Sequence, residues 1–325
     1  MVSIQFVDEP VYVHGSTTLR IGTDCSGIEA PIQALRQLGI PYKSMWCSDI
    51  DKYCIQSIKA NYNPERIYGD KDGPYPDGDI RNRDHSTLPD IDLYVCGFPC
   101  QPFSQAGKGE GLRDRRGNVF FSCIDTIKAK KPKYFILENV KGILWNDKRD
   151  KKSKYGHTWT VIWHEVLKLK EYGYHVDWKI MNTREYGIPQ NRERIYILGS
   201  LIDRINWPEK CNMDNIKKYI DWNNNTSCYP PPYIKKILHK YIGLTIINPG
   251  FRHAKFNKDF SPCLCANGPR FWICPLSRLL SNSEMLKFQG FEKIIQNVSD
   301  TQFKKQIGNS MSTNVVKLII KKILA

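Results

Sequence analysis

Apolar and polar residues follow two alternating patterns along the first two hundred positions of the chain. Short apolar runs predict buried strands at residues 19–25, 42–48, 93–96, 134–137, 178–181 and 195–198. Between them, apolar residues recur at helical spacing at residues 28–38, 52–61, 120–129 and 161–169. Strands that alternate with helices are typical of a parallel sheet covered on both faces. The sequence therefore predicts an α/β fold with a doubly wound, mostly parallel sheet.

This regular alternation ends near residue 200. Residues 201–270 are rich in Asn, Pro and aromatic side chains and show little periodicity. Helical periodicity returns at residues 279–288 and 313–324. We therefore predict a large domain over residues 1–200, a smaller one over 201–270, and a C-terminal segment over 271–325 that packs back on the large domain.

The net charge of the chain indicates which class of partner it could bind. Among 325 residues, 48 Lys and Arg against 33 Asp and Glu give a net charge of +15. Such an excess predicts attraction to a polyanion, with nucleic acid as the first candidate and a merely solubilising surface as the alternative. The eleven cysteines form no Cys-x-x-Cys pair and the N-terminus lacks a signal-peptide pattern, so we expect a reduced, intracellular protein. No apolar run approaches the roughly 18–20 residues needed to cross a bilayer, which argues against a membrane role.

Cys100 stands at the position where chemistry is expected in such a fold. Gly97 and Pro99 stop the strand that ends at Cys96, which places Cys100 at the carboxyl end of that strand. The basic residues that follow favour the thiolate, the form of the thiol that attacks electrophiles. The alternative is a small core residue, as most free cysteines are. The segment after it, 101–118, mixes glycines with basic residues, a composition typical of a mobile lid.

The first two strands end in residues that suit an adenosine-containing ligand. Gly27 forms a tight turn and a helix is predicted just after it, so that backbone N–H groups could meet a carboxylate. A purely structural turn is the alternative. Asp49, at the end of the second strand, could accept hydrogen bonds from ribose hydroxyls.

Two further positions could supply an acid and fixed positive charge. Glu138 follows the predicted strand 134–137, and a partly desolvated carboxyl there would have a raised pKa and could act as a general acid. The alternative is a residue that caps a neighbouring loop. Arg192 and Arg194 alternate onto one side of the next strand, where a guanidinium gives a permanent cation.

Four motifs together resemble one family. The string Gly-Phe-Pro-Cys-Gln-Pro-Phe-Ser at 97–104 is similar to the nucleophile motif of the cytosine-5 DNA methyltransferases. Glu-Asn-Val at 138–140, Gln-Asn-Arg-Glu-Arg at 190–194 and Gln-Ile-Gly-Asn-Ser at 306–310 follow in that family's order. The resemblance implies the class I S-adenosylmethionine-dependent methyltransferase fold, with residues 201–270 as a target-recognition lobe. It also implies methyl transfer to carbon 5 of cytosine in a specific double-stranded DNA sequence.

The resemblance further implies roles for individual residues. Cys100 would add to carbon 6 of a flipped-out cytosine, Glu138 would meet ring nitrogen 3, and the two arginines would contact the base carbonyl or Glu138. The implied S-adenosylmethionine site consists of Asp24, Cys25, Ser26, Gly27, Ile28, Asp49, Ile50, Asp79, Ile80, Gly97, Pro99, Val119, Asn309 and Ser310. The candidate DNA contacts are Gln101, Ser104 and Arg116 in the lid and Arg252, Lys255 and Arg270 in the second lobe. No metal is expected.

The chain departs from the family pattern at a few positions. An aromatic residue is usual where Cys25 stands, and glycines are usual where Glu29 and Ala30 stand, so we expect weakened but not absent cofactor binding. Cys263 replaces a usual Thr. A zinc site built from Cys263, Cys265 and Cys274 is disfavoured because their spacing matches no ordinary finger.

Two other functions stay open from the sequence alone. One is a transfer-RNA cytosine-5 methyltransferase, although the Cys-Phe-Thr tripeptide of that branch is absent from this sequence. The other is a DNA-binding regulator with an inactive site. We expect a monomer that acts wherever its DNA lies, whether in a restriction-modification pair, a virus or a host regulatory system. The recognition sequence does not follow from these residues.

Overall fold

The computed structural model describes residues 18–99, 119–145, 154–224, 243–248, 258–266 and 271–325, with residues 226, 232 and 235. The strands are β1 Leu19–Asp24, β2 Tyr42–Ser48, β3 Ile67–Tyr68, β4 Leu93–Cys96, β5 Tyr134–Val140, β6 His175–Asn182, β7 Gln190–Asn191, β8 Glu193–Ser200, β9 Ile246–Ile247, β10 Ser261–Pro262, β11 Trp272–Ile273 and β12 Arg278–Leu279. The helices are α1 Ala30–Gln37, α2 Lys52–Asn61, α3 Val119–Lys130, α4 His157–Lys168, α5 Asn282–Phe288, α6 Asp300–Asn309 and α7 Thr313–Ile323.

Seven of the strands form one sheet in the order β3-β2-β1-β4-β5-β8-β6. Strands β1 to β5 pair in parallel, whereas β8 runs antiparallel between β5 and β6. Only residues 183–192 connect β6 to β8, and a parallel crossover usually needs a dozen or more residues. The predicted mostly parallel α/β sheet is therefore confirmed, with the reversal confined to the place where the connection is too short for a crossover.

Both faces of the sheet are buried, because neighbouring side chains in each strand enter different cores. In β4, Leu93 and Val95 belong to the core that contains α1 and α7, while Tyr94 and Cys96 belong to the core that contains α3 and α4. Helix α7 packs directly on α1. Because β1, β2, β4 and β5 are parallel, their carboxyl ends lie along one edge of the sheet.

Short strands join the described parts of residues 201–270 to the rest of the chain. Strand β10 pairs in parallel with β7, and β9 pairs with β11 in a small antiparallel sheet that also contains β12. The three-part domain division stays a prediction. Among the residues described, no helix has both the length and the apolar character needed to cross a bilayer.

Arg278 and Glu284, which precede and begin α5, form an ion pair away from solvent. Arg278 donates to both carboxylate oxygens of Glu284, at 2.8 and 2.7 Å, and both side chains are almost fully buried. The same carboxylate accepts the backbone N–H of Asp221 at 2.8 Å. The pair therefore fastens the segment after β8 to α5, which is a structural role.

Several helices differ in their bounds from the sequence prediction; α4 begins at His157 instead of residue 161, and α5 at Asn282 instead of residue 279. Helix α1 begins at Ala30 instead of residue 28, because Glu29 adopts a left-handed conformation with a φ of 59° that ends the preceding turn. Helix α6 was not predicted at all. Its buried side chains include Phe303 and Ile307, whose spacing is helical, but its other residues are mostly polar and leave a weak pattern.

Glu29 is itself an unusual residue, an acid buried beneath the turn between β1 and α1. Its side chain is 1% exposed and accepts one hydrogen bond, from Thr23 Oγ1 at 2.7 Å. Oxygen Oε2 has no hydrogen-bond partner within the described residues. Burial raises the pKa of Glu29 to about 8, and the nearby carboxylates of Asp49 and Asp24 add to the rise. Glu29 is therefore protonated at neutral pH.

We predict that Glu29 makes the stability of the protein fall between pH 4.5 and about 8. In this window the unfolded chain releases the proton while the folded protein retains it, so the stabilisation present below pH 4.5 is lost as the pH rises. The loss is on the order of 3–5 kcal/mol, because one pKa unit corresponds to about 1.4 kcal/mol. Urea unfolding of Glu29→Gln should lack this pH dependence, since Gln keeps the acceptor for Thr23 without the charge. The exposed Glu292→Gln is the matched control, and equal slopes for both variants would contradict the prediction.

Candidate active site

A cavity of about 320 Å³ opens at the sheet edge where the carboxyl ends of β1, β2, β4 and β5 meet. Most of the predicted site residues line it together, namely Cys25, Ser26, Gly27, Asp49, Ile50, Asp79, Ile80, Gly97, Pro99, Val119, Glu138, Arg192, Arg194, Asn309 and Ser310. Two predicted cofactor residues, Asp24 and Ile28, are not among the lining side chains. The parallel order of the strands thus gathers residues from distant parts of the sequence around one space.

Asp24 was predicted to bind the cofactor, but its carboxylate is fully engaged inside the protein. Arg83 donates to both oxygens, at 3.0 and 2.6 Å, and Tyr94 donates at 2.8 Å. Trp46 adds a weaker contact at 3.3 Å. A buried carboxylate needs such donors, and here they bind Asp24 away from the cavity. Its role is to hold the end of β1.

Ile28, also predicted as a cofactor contact, has its side chain in the core and not in the cavity. Its side chain is 1% exposed and belongs to the core beneath α1. Its carbonyl accepts the hydroxyl of Tyr62 at 3.0 Å. The left-handed residue before it, Gly27, turns the chain so that Ile28 points into the core.

The backbone of the Gly27 turn donates to a carboxylate, but this carboxylate is the side chain of Asp49. Gly27 N–H donates to Asp49 Oδ2 at 2.9 Å, and Asp51 N–H donates to Asp49 Oδ1 at 2.8 Å. Ser26 cross-links the same two strand ends, since its hydroxyl accepts from Ser48 N–H at 3.0 Å. Burial raises the pKa of Asp49. Each oxygen of Asp49 still has a lone pair that can accept from a ligand hydroxyl.

Ile50 projects from this end of the cavity. It is 76% exposed, the highest exposure among the large apolar side chains of the described residues. Asp79 lies across from it, caps a short 3-10 turn, and accepts the guanidinium of Arg81. Ile80 beside it is buried and completes an apolar wall. An exposed apolar surface within a cavity suits a flat, partly apolar ligand.

The end of α6 and the residues just after it form another wall, which includes side chains absent from the predicted site, although Gln306 belongs to the predicted motif 306–310. Lys305, Gln306 and Met311 line the cavity beside the predicted Asn309 and Ser310. Lys305 pairs with Asp51 at 3.1 Å, which joins α6 to the start of α2. Gln306 accepts the Ser57 hydroxyl at 3.0 Å. The helical spacing of 305, 306 and 309 would have indicated this wall if α6 had been recognised.

Glu138 and Arg194 lie side by side on β5 and β8. Arg194 Nε is 3.1 Å from Glu138 Oε1, an ion-pair distance without hydrogen-bond alignment. Burial raises the pKa of Glu138, and the positive charges of Arg194 and Arg192 only partly oppose that rise. The second oxygen faces Gly97, where an added Cβ would lie 3.5 Å away. The arrangement thus places a carboxyl of raised pKa next to the turn that leads to Cys100.

Arg192 was predicted to act beside Arg194, but its guanidinium is engaged by backbone carbonyls. It donates to Leu264 O at 2.7 Å, to Ser310 O at 2.6 Å and to Gly308 O at 3.2 Å. Only 2% of its surface is exposed. Its role is to join three segments of the wall, while Arg194 is the arginine at ion-pair distance from the acid.

The turn before the predicted nucleophile is well anchored. Asn139 donates from Nδ2 to Phe98 O at 3.1 Å, which fixes the chain two residues before Cys100. Seven predicted site residues lie outside the described part of the chain: Cys100, Gln101, Ser104, Arg116, Arg252, Lys255 and Arg270. Within the described part, no group of His, Cys, Asp or Glu side chains is arranged to hold a metal ion.

Comparison with known proteins identifies the family. The model of the C-5 cytosine-specific DNA methylase family matches residues 24–258 and 207–325. Type II methyltransferase M.NlaIV of Neisseria lactamica is 37% identical over 242 residues, which span 74% of this chain and about half (51%) of that protein. Type II methyltransferase M.HaeII of Haemophilus aegyptius is 34% identical over 289 residues, which span 85% of this chain and 84% of that protein.

Solved structures agree on the fold. The S. pombe Dnmt2 methyltransferase aligns over 94% of this chain and 98% of its own, with a TM-score of 0.67 and 18% identity. A putative DNA modification methyltransferase encoded within an E. coli prophage aligns equally far, with a TM-score of 0.63 and 18% identity. Sequence, cavity and comparisons agree, and the chain belongs to the C-5 cytosine-specific DNA methylase family.

Proposed function

We propose that this protein transfers a methyl group from S-adenosylmethionine to carbon 5 of cytosine in double-stranded DNA. The observation that carries the proposal is a single cavity that contains both Asp49 with Ile50 and Glu138 with Arg194. A hydroxyl acceptor with an apolar surface at one end suits a nucleoside donor. A buried acid at the other end suits a base that becomes more basic during reaction.

The donor end fits S-adenosylmethionine by the chemistry of its side chains. Asp49 would accept from the ribose hydroxyls, Ile50 and Ile80 would contact the adenine, and Asn309 with Ser310 would bind the amino-acid part. When bound, the cofactor supplies an electrophilic methyl group on a sulfonium centre. Cys25 stands where the family has an aromatic residue, so the adenine would have one less ring to contact.

The acceptor end would activate the cytosine. Glu138, whose raised pKa favours the protonated form, would donate to ring nitrogen 3, and Arg194 would orient that carboxyl. The Cys100 sulfur would bond to carbon 6, which makes carbon 5 the nucleophile for the methyl group. Loss of the carbon 5 proton and then of the thiolate restores the aromatic ring. A stacked base cannot reach this cavity, so the cytosine must leave the helix.

The net charge of +15 supports a polyanionic substrate. The DNA contacts proposed at Gln101, Ser104, Arg116, Arg252, Lys255 and Arg270 stay predictions, as do the monomeric state and the cellular location.

Replacing Ile50 by Ala should weaken S-adenosylmethionine binding about tenfold. The change removes apolar surface that the adenine would cover, and each buried methylene contributes about 0.8 kcal/mol. Isothermal titration calorimetry measures the dissociation constant without requiring catalysis. Ile202→Ala is the matched control, since Ile202 is also exposed, at 53%, but does not line the cavity. Equal affinities for the two variants would count against an adenine site at Ile50.

Labelled methyl transfer from S-adenosylmethionine to unmethylated double-stranded DNA tests the reaction itself. Cys100→Ser should abolish transfer, and Glu138→Gln should slow single-turnover transfer by roughly 10²- to 10⁴-fold, because Gln cannot donate a proton to the ring. Label should appear on carbon 5 of cytosine. Glu193→Gln, which removes a partly exposed carboxylate on the same strand as Arg194, is the control for a loss of charge without a loss of the acid.

Transfer RNA assayed in parallel distinguishes the two polymers. Label on transfer RNA but not on DNA would overturn the proposed substrate while preserving the chemistry. Absence of transfer to either polymer by native protein that binds DNA would indicate an inactive regulator.

A further inference from the structure

A thiol that the reaction described above does not use, that of Cys263, lies close enough to Glu138 to influence its charge. It follows β10, which pairs in parallel with β7, so the segment 261–265 runs directly beside Arg192 and Arg194. Cys263 Sγ lies 3.4 Å from Arg192 NH1 and 3.8 Å from Arg194 NH2. Both distances are within hydrogen-bond reach of sulfur. One sulfur atom therefore contacts both guanidinium groups of the motif.

These surroundings favour the ionised sulfur. Guanidinium groups only donate hydrogen bonds, so Cys263 must serve as the acceptor for both arginines. The neighbouring Cys265 thiol donates to the backbone carbonyl of Cys263 at 3.4 Å, a bond that Cys265 makes with its own proton. The Cys265 side chain, together with the charges of Arg192 and Arg194, outweighs the opposing effect of burial and holds the pKa of Cys263 well below its usual range.

An anion at this place changes the balance of charge around Glu138. The titratable and charged groups that act on Glu138 from the elements packed on it are Arg192, Arg194, Tyr196 and Cys263. Two permanent cations beside a carboxyl favour its ionised form, which cannot donate a proton. The negative sulfur opposes that effect and raises the pKa of Glu138.

We propose that Cys263 is a positioning residue whose ionised sulfur accepts hydrogen bonds from both arginines and offsets one of their two positive charges beside the acid Glu138. The catalytic consequence of this inference rests on the proposed methyl transfer. The ionisation of Cys263 does not depend on that reaction. The competing arrangement is a neutral thiol that donates to Leu264 O at 3.6 Å. That carbonyl already accepts a hydrogen bond from Arg192 at 2.7 Å.

The first test is the ultraviolet thiolate absorbance of native protein and Cys263→Ser across neutral and mildly acidic pH. The native protein should contain about one more thiolate than the variant at pH 7, and the difference should persist to lower pH than for an ordinary thiol of pKa about 8.5. Cys211→Ser, which removes an exposed cysteine without an arginine partner within the described residues, should leave the absorbance at pH 7 unchanged. Equal absorbance of native protein and Cys263→Ser at pH 7 would overturn the proposal, whether or not the protein transfers methyl groups.

The second test compares Cys263→Asp with Cys263→Asn, a pair that differs in charge but little in size. Glu138 must be protonated to act, so the single-turnover rate of methyl transfer should fall as the pH rises through its pKa. In Cys263→Asn, which lacks the negative charge, the pH at which the rate falls should be lower by about one unit, and the rate at neutral pH should drop about tenfold. Cys263→Asp should retain the native profile, and a purely structural role would not separate the two variants by charge. The thermal midpoint of each variant shows that it is folded.

The outcomes separate this inference from the proposed function. A native protein that transfers methyl groups, with the same pH profile in the Asp and Asn variants, would overturn the role of Cys263 and leave the reaction intact. A native protein that shows the extra thiolate but no methyl transfer would instead overturn the proposed function and confirm the ionisation.

Discussion

Much of the site depends on the buried guanidinium of Arg192. Its hydrogen bonds join residues that lie 72, 116 and 118 positions away in the sequence. Through them the strand that carries Arg194, the segment after β10 and the end of α6 meet at one point. The planar fork of arginine suits this task, because it offers several donors in fixed directions and never loses its charge. The Arg192 side chain therefore stabilises both the end of the cavity near Glu138 and the end near Ser310.

The sheet supplies the second constraint. Glu138 comes from β5, which lies between the parallel β4 and the antiparallel β8, so its carboxyl lies between the turn of Gly97 and the side chain of Arg194. An acid held in this way is desolvated by its neighbours on both sides. Burial, which raises its pKa, follows directly from the strand order.

The sequence predicts most of the fold, because the periodicity of buried faces is strong in this chain. Strands β2 and β4 and helix α2 have the predicted bounds. The errors have local physical causes. Helix α1 begins later than predicted because a hydrophobic pattern does not indicate the left-handed backbone of Glu29. Helix α6 is not predicted because most of its residues are polar.

The site shows a different limit of sequence reasoning. Fifteen of the described residues that the motifs predict for the site line one cavity. The motifs do not reveal which distant residues bind a given side chain. Asp24 is bound by Arg83, 59 residues away, and lies outside the cavity lining, while Arg192 lines the cavity but has its guanidinium held by three distant carbonyls. The pairing of Cys263 with the two arginines depends on contacts of the same kind.

The placement of α6 has a consequence for the order in which the protein becomes competent during its synthesis. The donor end of the cavity needs both the turn after β1 and the residues Lys305 to Met311, from opposite parts of the chain. A nascent chain whose α6 has not left the ribosome can pair β1 to β8, but it lacks one wall of the donor site. Residues 305–311 are among the last to emerge, so a partly synthesised chain lacks both this wall and the carbonyls of Gly308 and Ser310 that hold Arg192.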